Sequence, residues 1–401
     1  MDEKASEEQK IGLALSGGGS RAIAFHLGCL RALHELGVLE KVSVLSTVSG
    51  GSVIGTLYAA HQGSFSAFEE KVHSLLANGL VSPTVRKMLR TTEGVKAISC
   101  WSLLVVINSV LFVASKLMWL ASFALPPEKR RTWRLDHLHA PIRRFASRTT
   151  ILRRVFDEDV FGRKRLRDLP ANGPLLVVNA ADLRTGSAFY FSSQDSGSWR
   201  LGKLADRDVT LAQAVTASAA FPLLLPALDE FMPFNKKDGS RRVERVNLTD
   251  GGVYDNLGLA PLWPDRDSAV SLNVSKVDVI ICCRAGYGLR FDPPTQTMFA
   301  RLNSEFACIH DRAQKAGMKR QFYLQREGQL KRVLLPYLGQ DDSRLRFPPD
   351  DRVTREEAFA YPTDFSAMTD EWIEKLSRRG YQLTRALVAE HWPSLLDKDA
   401  A

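Results

Sequence analysis

Two stretches decide the fold: IGLALSGGGSRAIAFHLGCLRALHEL at residues 11–36 and VSVLSTVSGGSVIGTLYAA at residues 42–60. Each opens on a short apolar run, Ile11 to Leu15 in the first and the β-branched Val42 to Leu45 in the second. Each then passes through small, turn-forming residues, Ser16 to Gly19 and Ser46 to Gly51. A segment with apolar residues at helical spacing follows, Ala22 to Leu36 and Ser52 to Ala60. Two strand-turn-helix units in succession predict a parallel α/β sheet. Further short, branched runs at Leu175–Asn179, Val243–Leu248 and Val277–Cys282 predict strands that extend the same sheet. Asp238-Gly239, between Glu230–Phe234 and Arg241–Leu248, predicts a hairpin turn feeding the strand that ends at Asp250. Helical stretches near Thr369–Arg378 and Leu383–Glu390 are expected to close the chain.

The composition of the 401 residues, 45% hydrophobic and 25% charged, excludes disorder, collagen and coiled coil. The length fits one α/β domain with insertions. Five cysteines, with no C-x-x-C pair, suggest neither a disulfide framework nor a zinc motif, so a reducing compartment is expected. Met1 to Lys10 is too polar for a secretory signal, which makes the expected location cytoplasmic. The net charge of +9 is uneven: Pro126 to Asp168 holds 13 basic and 6 acidic residues, a net +7. That excess adjoins the most hydrophobic stretch of the chain, so an anionic membrane surface is the expected partner. Nucleic acid is not expected, because no recognisable binding motif accompanies the charge.

The hydrophobic stretch, Ala97 to Leu125, has 29 residues and one charge, Lys116. At about 1.5 Å per residue a single helix would cross a ~30 Å hydrocarbon core. Ser102, Ser109 and Lys116, with Ser99 and Asn108 alongside, instead trace a narrow polar stripe of the interfacial or half-buried kind. Basic residues flank both ends, Arg86, Lys87 and Arg90 before and Lys129, Arg130, Arg131 and Arg134 after, leaving no asymmetry to orient a span. A single crossing would also part any site shared by the two halves of the chain. Three readings stand side by side: an interfacial or re-entrant segment, a buried core or lid element, and a span.

Three short motifs carry chemistry. In Ser46-Thr47-Val48-Ser49-Gly50-Gly51-Ser52 a strand passes into a helix, where a serine is lifted onto a sharp turn with its hydroxyl exposed. Against G-x-S-x-G, Ser49 is the candidate nucleophile and Thr47 stands at the first glycine; the rival role for such a serine is a helix cap. Gly17-Gly18-Gly19 presents successive N–H groups at a helix N-terminus, a candidate oxyanion hole. Gly17, Gly19 and Ala22 also satisfy a dinucleotide fingerprint, but that needs an acid at the end of the second strand, where Ser46 to Ser49 stand. Asp250-Gly251-Gly252 allows a carboxylate to approach a serine hydroxyl closely, or is simply a turn. No metal motif is present: His34-Glu35 lacks the second histidine of H-E-x-x-H, and no EF-hand loop or Walker lysine occurs.

Together the motifs resemble the patatin-like phospholipase family. They run in order as Gly17-Gly18-Gly19-Ser20-Arg21, then Ser49, then Ala217-Ser218-Ala219-Ala220-Phe221-Pro222, then Asp250-Gly251-Gly252. Asn179-Ala180-Ala181-Asp182-Leu183-Arg184-Thr185-Gly186 is similar to this family as well. The resemblance covers Ile11 to Gly258 apart from the apolar insertion, with Thr47 and Ala22 as departures where glycine is usual. It implies a three-layer α/β/α fold with a mainly parallel central sheet and, here, a hydrophobic helical insertion. It also implies lipid ester substrates and no metal or cofactor. Residue by residue, Ser49 would be the nucleophile, Asp250 its base, and Gly17, Gly18 and Gly19 the oxyanion donors, with Arg21 organising their loop. A Ser-Asp-His triad is the competing arrangement, because His310 and His391 follow Asp250 in the chain. The expected organisation is a polar tail at 1–10, a catalytic domain from 11–96 and 169–401, and an insertion at 97–168 whose 97–134 part meets the membrane. The expected activity is that of a serine lipid acyl hydrolase, peripherally membrane-associated; the alternative is a catalytically silent scaffold of the same fold that binds lipids or membranes.

Overall fold

The computed structural model describes residues 9–126, 142–206, 208–222, 224–269, 271–286, 297–359 and 361–396. Residues 1–8 of the expected tail, and Lys129, Arg130, Arg131 and Arg134 of the expected basic flank, lie outside them.

A single mixed sheet organises the chain. Its strands are β1 (Ile11–Leu15), β2 (Val42–Val48), β3 (Leu175–Asp182), β4 (Ser187–Ser192), β5 (Gly197–Ser198), β6 (Gly202–Leu204), β7 (Leu228–Asn235), β8 (Arg241–Asp250), β9 (Val279–Cys283) and β10 (Arg332–Leu334), in the spatial order β10-β9-β1-β2-β3-β4-β5-β6-β7-β8. The run β10-β9-β1-β2-β3 is parallel, as two successive strand-turn-helix units require. From β4 onward the pairing is antiparallel, and β7 and β8 form the hairpin expected at Asp238-Gly239.

Every second residue of the parallel strands faces one of two cores. Leu13, Leu15, Leu176, Val178, Val279 and Ile281 join the larger cluster, while Ala14, Val177, Ile280 and Cys282 join the smaller one on the other face. Helices α1 (Gly19–Glu35), α2 (Gly50–Ala59), α3 (Phe65–Asn78), α6 (Arg148–Val155), α7 (Leu211–Ser218) and α11 (Asp370–His391) supply side chains to the first cluster. The second is closed by Leu257 to Trp263 and by Leu324, near the end of α9 (Met298–Arg326). Burial on both faces explains why these strands read as continuous apolar runs. The single turns α8 (Gly252–Asp255) and α10 (Arg355–Ala358) complete the helices used below.

The two helices expected at the C-terminus are one, α11. The polar Arg379-Gly380-Tyr381-Gln382, which reads as a break, is where α11 crosses α1. A Cβ on Gly380 would overlap the Phe25 carbonyl, and one on Gly28 the Ser377 carbonyl, so two glycines let the backbones touch. Buried Arg379 donates to the carbonyls of Leu338, Val353 and Gln340 at 2.7, 2.6 and 2.8 Å and to Asp342.

The apolar stretch forms most of α5 (Thr92–Ser122), the one helix among the described residues that is long and apolar enough to cross a membrane. Its first turns are seated: Ala97, Cys100 and Leu104 pack with Ala146, Ile151 and Met88. Past Leu104 the helix leaves the body, with Val106, Val110, Phe112, Val113, Leu117 and Leu120 exposed, so a buried core element is not what the sequence builds there. The chain is back on the body by Arg143 and Arg144, which bind Asp229. Both flanks therefore pack on one body. Before α5, the short α4 (Val81–Arg90) exposes Val81, Val85 and Leu89 on one face.

Candidate active site

The register of β3 brings the two halves of the site together. Residues Leu175 to Asn179 pair with β2 in parallel, ending at Val48 opposite Asn179. On the same edge, Ala180 to Asp182 pair with β8 in antiparallel fashion, ending at Asp250 opposite Ala180. β2 and β8 thus run toward each other along one edge of β3, and their C-terminal ends meet. Ser49 follows the first and Asp250 ends the second. Asp182 secures this register: its carboxylate accepts from Asn247 N–H at 2.9 Å and from the N–H groups of Arg184 and Thr185 at the β3–β4 turn.

Ser49 sits at φ 52°, ψ −119°, a conformation that costs a residue with a Cβ about 1–3 kcal/mol. The turn is sharp because its surroundings are glycine. A Cβ on Gly50 would overlap the backbone of Gly19, and one on Gly51 the Leu15 carbonyl. Thr47 is accommodated by an exchange of volume: its Cγ2 fills the place of a side chain on Gly55, where any Cβ would overlap it.

The Ala217–Pro222 segment braces both residues. Ser218 Oγ accepts from Ser49 N–H at 2.9 Å and bonds Ser52 Oγ at 2.8 Å. The Ser218 carbonyl accepts from Gly251 N–H, and the Ala220 carbonyl from Asp250 N–H at 3.1 Å and from Thr249 Oγ1 at 2.9 Å. The sequence singled out this segment without assigning it a task.

The Ser49 side chain lies near enough to the Asp250 carboxylate to favour its charged form, and Asp250 Oδ1 accepts from Gly252 N–H at 2.7 Å. Asp250 is 3% exposed and Ser49 7%. Burial pushes the Asp250 carboxyl up to about 6, against the opposing pull of the nearby Ser49 side chain and the Gly252 N–H. Of the two histidines weighed, His391 lies exposed at the end of α11 with its ring beside Glu390, and His310 bonds Gln314 at 3.0 Å.

The glycine loop differs from expectation at one position. Gly17 N–H donates to the Asn256 carbonyl at 3.1 Å, so it is engaged within the protein and does not stand ready for an oxyanion. What Gly17 supplies is space, because its Cβ would overlap Asn256 Oδ1 and come within 3.2 Å of the Ser49 Cβ. Gly18 (φ 149°) and Gly19 (φ 60°) adopt conformations that favour glycine, and among the described residues no acceptor is paired with their N–H groups. Arg21 is buried and donates to the Ala285 carbonyl at 3.0 Å and the Tyr361 carbonyl at 3.4 Å, tying the start of α1 to two other loops. Asn256 was not singled out in the sequence, because only the fold places it against Gly17 and Gly252.

The arrangement can transfer a proton from a serine hydroxyl to a carboxylate beside two free amide donors, which is acyl-transfer chemistry. A search of curated protein sequences gives no match. Among solved structures, human GIVD cytosolic phospholipase A2 aligns over 96% of this chain and 61% of its own, with a TM-score of 0.52 and 14% identity. VipD from Legionella pneumophila aligns over 96% of this chain and 67% of its own (TM-score 0.36, 14% identity). The type III effector protein ExoU aligns over 95% and 53% (TM-score 0.35, 15% identity). The chain thus spans about three fifths of the human enzyme, and at this identity the likeness is one of fold. The family model for patatin-like phospholipase matches residues 13–263, from β1 past Asp250. With that match extending over more than half of the chain, the protein belongs to the patatin-like phospholipase family.

Proposed function

We propose that the protein is a metal-independent serine lipid acyl hydrolase that cleaves carboxylic esters of phospholipids or lysophospholipids through an acyl-enzyme on Ser49. The observation that carries this reading is the meeting of a strained, buried serine with a buried carboxylate whose pKa is pushed up to about 6. A carboxylate at the ordinary 3.8 is a poor base for an alcohol; desolvation brings Asp250 nearer the working pH and makes it a better one.

Asp250 accepts the Ser49 proton as Oγ attacks the ester carbonyl. The N–H groups of Gly18 and Gly19 take the developing oxyanion, at roughly 3–4 kcal/mol per donor. The proton on Asp250 passes to the departing alcohol, and the acyl group stays on Ser49. Water then attacks the acyl-enzyme with Asp250 again as base, releasing the fatty acid and restoring the serine.

The exposed apolar surface of α5 beyond Leu104, with the apolar face of α4 beside it, supports docking at a bilayer. The basic residues of the 97–134 segment favour an anionic one. In this reading α5 lies in or dips into one leaflet, with the body held peripherally on the cytoplasmic side.

The test is fatty-acid release from phospholipid and lysophospholipid vesicles in EDTA. Ser49→Ala and Asp250→Asn, each folded by circular dichroism, should lower it roughly a thousandfold or more. Release that survives both substitutions would remove the dyad. An inactive wild type that still binds the vesicles would favour the scaffold reading.

A further inference from the structure

Behind the glycine loop, on the face of α1 turned toward β9, three soft ligands converge. His26 and Cys29 lie three residues apart on α1, Cys283 ends β9, and all three are fully or almost fully buried. One nitrogen of His26 and the two sulfurs lie within 4.8 Å of one another. A metal with bonds of about 2.0–2.3 Å to nitrogen and sulfur needs its ligand atoms closer than twice that length. The cluster therefore has nearly the required dimensions.

The hydrogen bonding of His26 points to a ligand. Its Nε2 lies 2.9 Å from the Ser16 carbonyl, which can only accept, so Nε2 carries the proton. Nδ1 is then a bare lone pair, buried and without any hydrogen-bond partner. An imidazole donating one N–H to a backbone carbonyl and offering its other nitrogen to an empty place is the form in which histidine binds metals. Cys29 Sγ lies 3.6 Å from the Gly380 carbonyl and also interacts with Cys283, His26 and Thr384. Thiolate ligands suit thiophilic cations, and a divalent ion held by two thiolates and a neutral imidazole leaves the dry interior without net charge.

We infer that His26 Nδ1, Cys29 Sγ and Cys283 Sγ form a structural site for a thiophilic divalent cation such as zinc, fastening α1 to β9 directly behind the glycine loop. Binding releases the two thiol protons to solvent and forms one nitrogen–metal and two sulfur–metal bonds, with no change of oxidation state. Two of the three ligands touch Ser16, which opens the loop: His26 bonds its carbonyl and the Cys283 carbonyl accepts its N–H at 3.1 Å, while its Oγ accepts from Ala285 N–H at 2.8 Å. The site touches neither Ser49 nor Asp250 and does not depend on the proposed reaction.

The experiment uses the full chain carrying Cys308→Ser, which removes the exposed cysteine. The protein is expressed in medium supplemented with zinc or with cadmium and dialysed against EDTA. Elemental analysis should give about one metal per chain, and the cadmium form should show the ultraviolet absorption of thiolate-to-cadmium charge transfer. Cys283→Ala and His26→Gln should each lower the metal content at least tenfold. Cys282→Ala, on the opposite face of β9, should keep it. Should Cys283→Ala fail to fold, the charge-transfer band of the parent protein and the His26→Gln metal content decide the matter. Metal-free parent protein from both media, or one metal per chain that persists in His26→Gln, overturns the site. These readouts require no substrate, so they stand apart from the hydrolase assignment.

Discussion

Asp250 is held where its charge is least welcome, and that has consequences on both sides of the reaction. With its pKa pushed up to about 6, the dyad should lose activity about tenfold per pH unit below that value, measured as the pH profile of kcat/KM. The same shift acts on stability. A carboxyl raised from 3.8 to about 6 contributes nothing adverse below 3.8, where it is protonated in both states, and destabilises the fold increasingly as pH rises through 6, by about 3 kcal/mol. Asp250→Asn keeps an acceptor for Gly252 N–H and removes the charge, so its Tm should exceed that of the wild type at pH 8 and match it below pH 4. A variant less stable than wild type at pH 8 would contradict this account. The pairing of Thr47 with Gly55 is testable in the same way. Gly55→Ala should destabilise by about 2 kcal/mol, and Thr47→Ala should recover most of that in the double variant, giving a coupling of about 1–3 kcal/mol in a cycle of urea melts. Ser49 and Asp250 stand out in the sequence because they sit in local, glycine-marked turns. The engagement of the Gly17 amide is not, because its partner Asn256 lies 239 positions further on and only the fold brings it near.

At the scale of elements, the C-terminal turn of α7 acts as a clasp between the strand that leads to Ser49 and the strand that carries Asp250. Ser218→Ala removes the acceptor for Ser49 N–H and leaves the substrate-binding surface unchanged. It should lower kcat about 10- to 100-fold with little effect on KM, as small misplacements of reacting groups do. Equal changes in both constants would argue against a positioning role. The parallel half of the sheet is legible from its apolar runs, since strands buried on both faces leave an unbroken pattern. The antiparallel pairing of β8 onto β3 is not, because it rests on Asp182 taking the N–H of Asn247, a long-range contact without periodic signature. The continuity of α11 was hidden for a related reason: Arg379 and Gly380 are polar or small because they meet α1 and three carbonyls, not because the helix stops.

The whole molecule presents one face unlike the rest, where α5 leaves the body and α4 exposes Val81, Val85 and Leu89. Each such side chain placed in hydrocarbon gains roughly 1.5–3 kcal/mol, so a few suffice for stable docking. Val106→Glu with Val110→Glu should reduce sedimentation with anionic vesicles at least tenfold while leaving hydrolysis of a water-soluble short-chain ester unchanged. Raising salt from about 0.1 to 1 M should weaken binding in part only, because the Debye length shrinks from about 10 to 3 Å while the apolar contribution remains. Unchanged sedimentation of the double variant would remove α5 from the docking face.

In the proposed mechanism, the head-on meeting of β2 and β8 also sets when the molecule becomes active. Ser49 and Asp250 are 201 positions apart in the chain, and neither strand end can hold its residue in place until the other has arrived. On the ribosome, Ser49 emerges many seconds before Asp250 at about 5–20 residues per second, and during that interval the nucleophile has no base. In the proposed mechanism the chain is therefore inert until the sheet closes, and no cleavage is needed to switch it on. Ester hydrolysis should accordingly be the last property regained on refolding, trailing the recovery of helical circular dichroism.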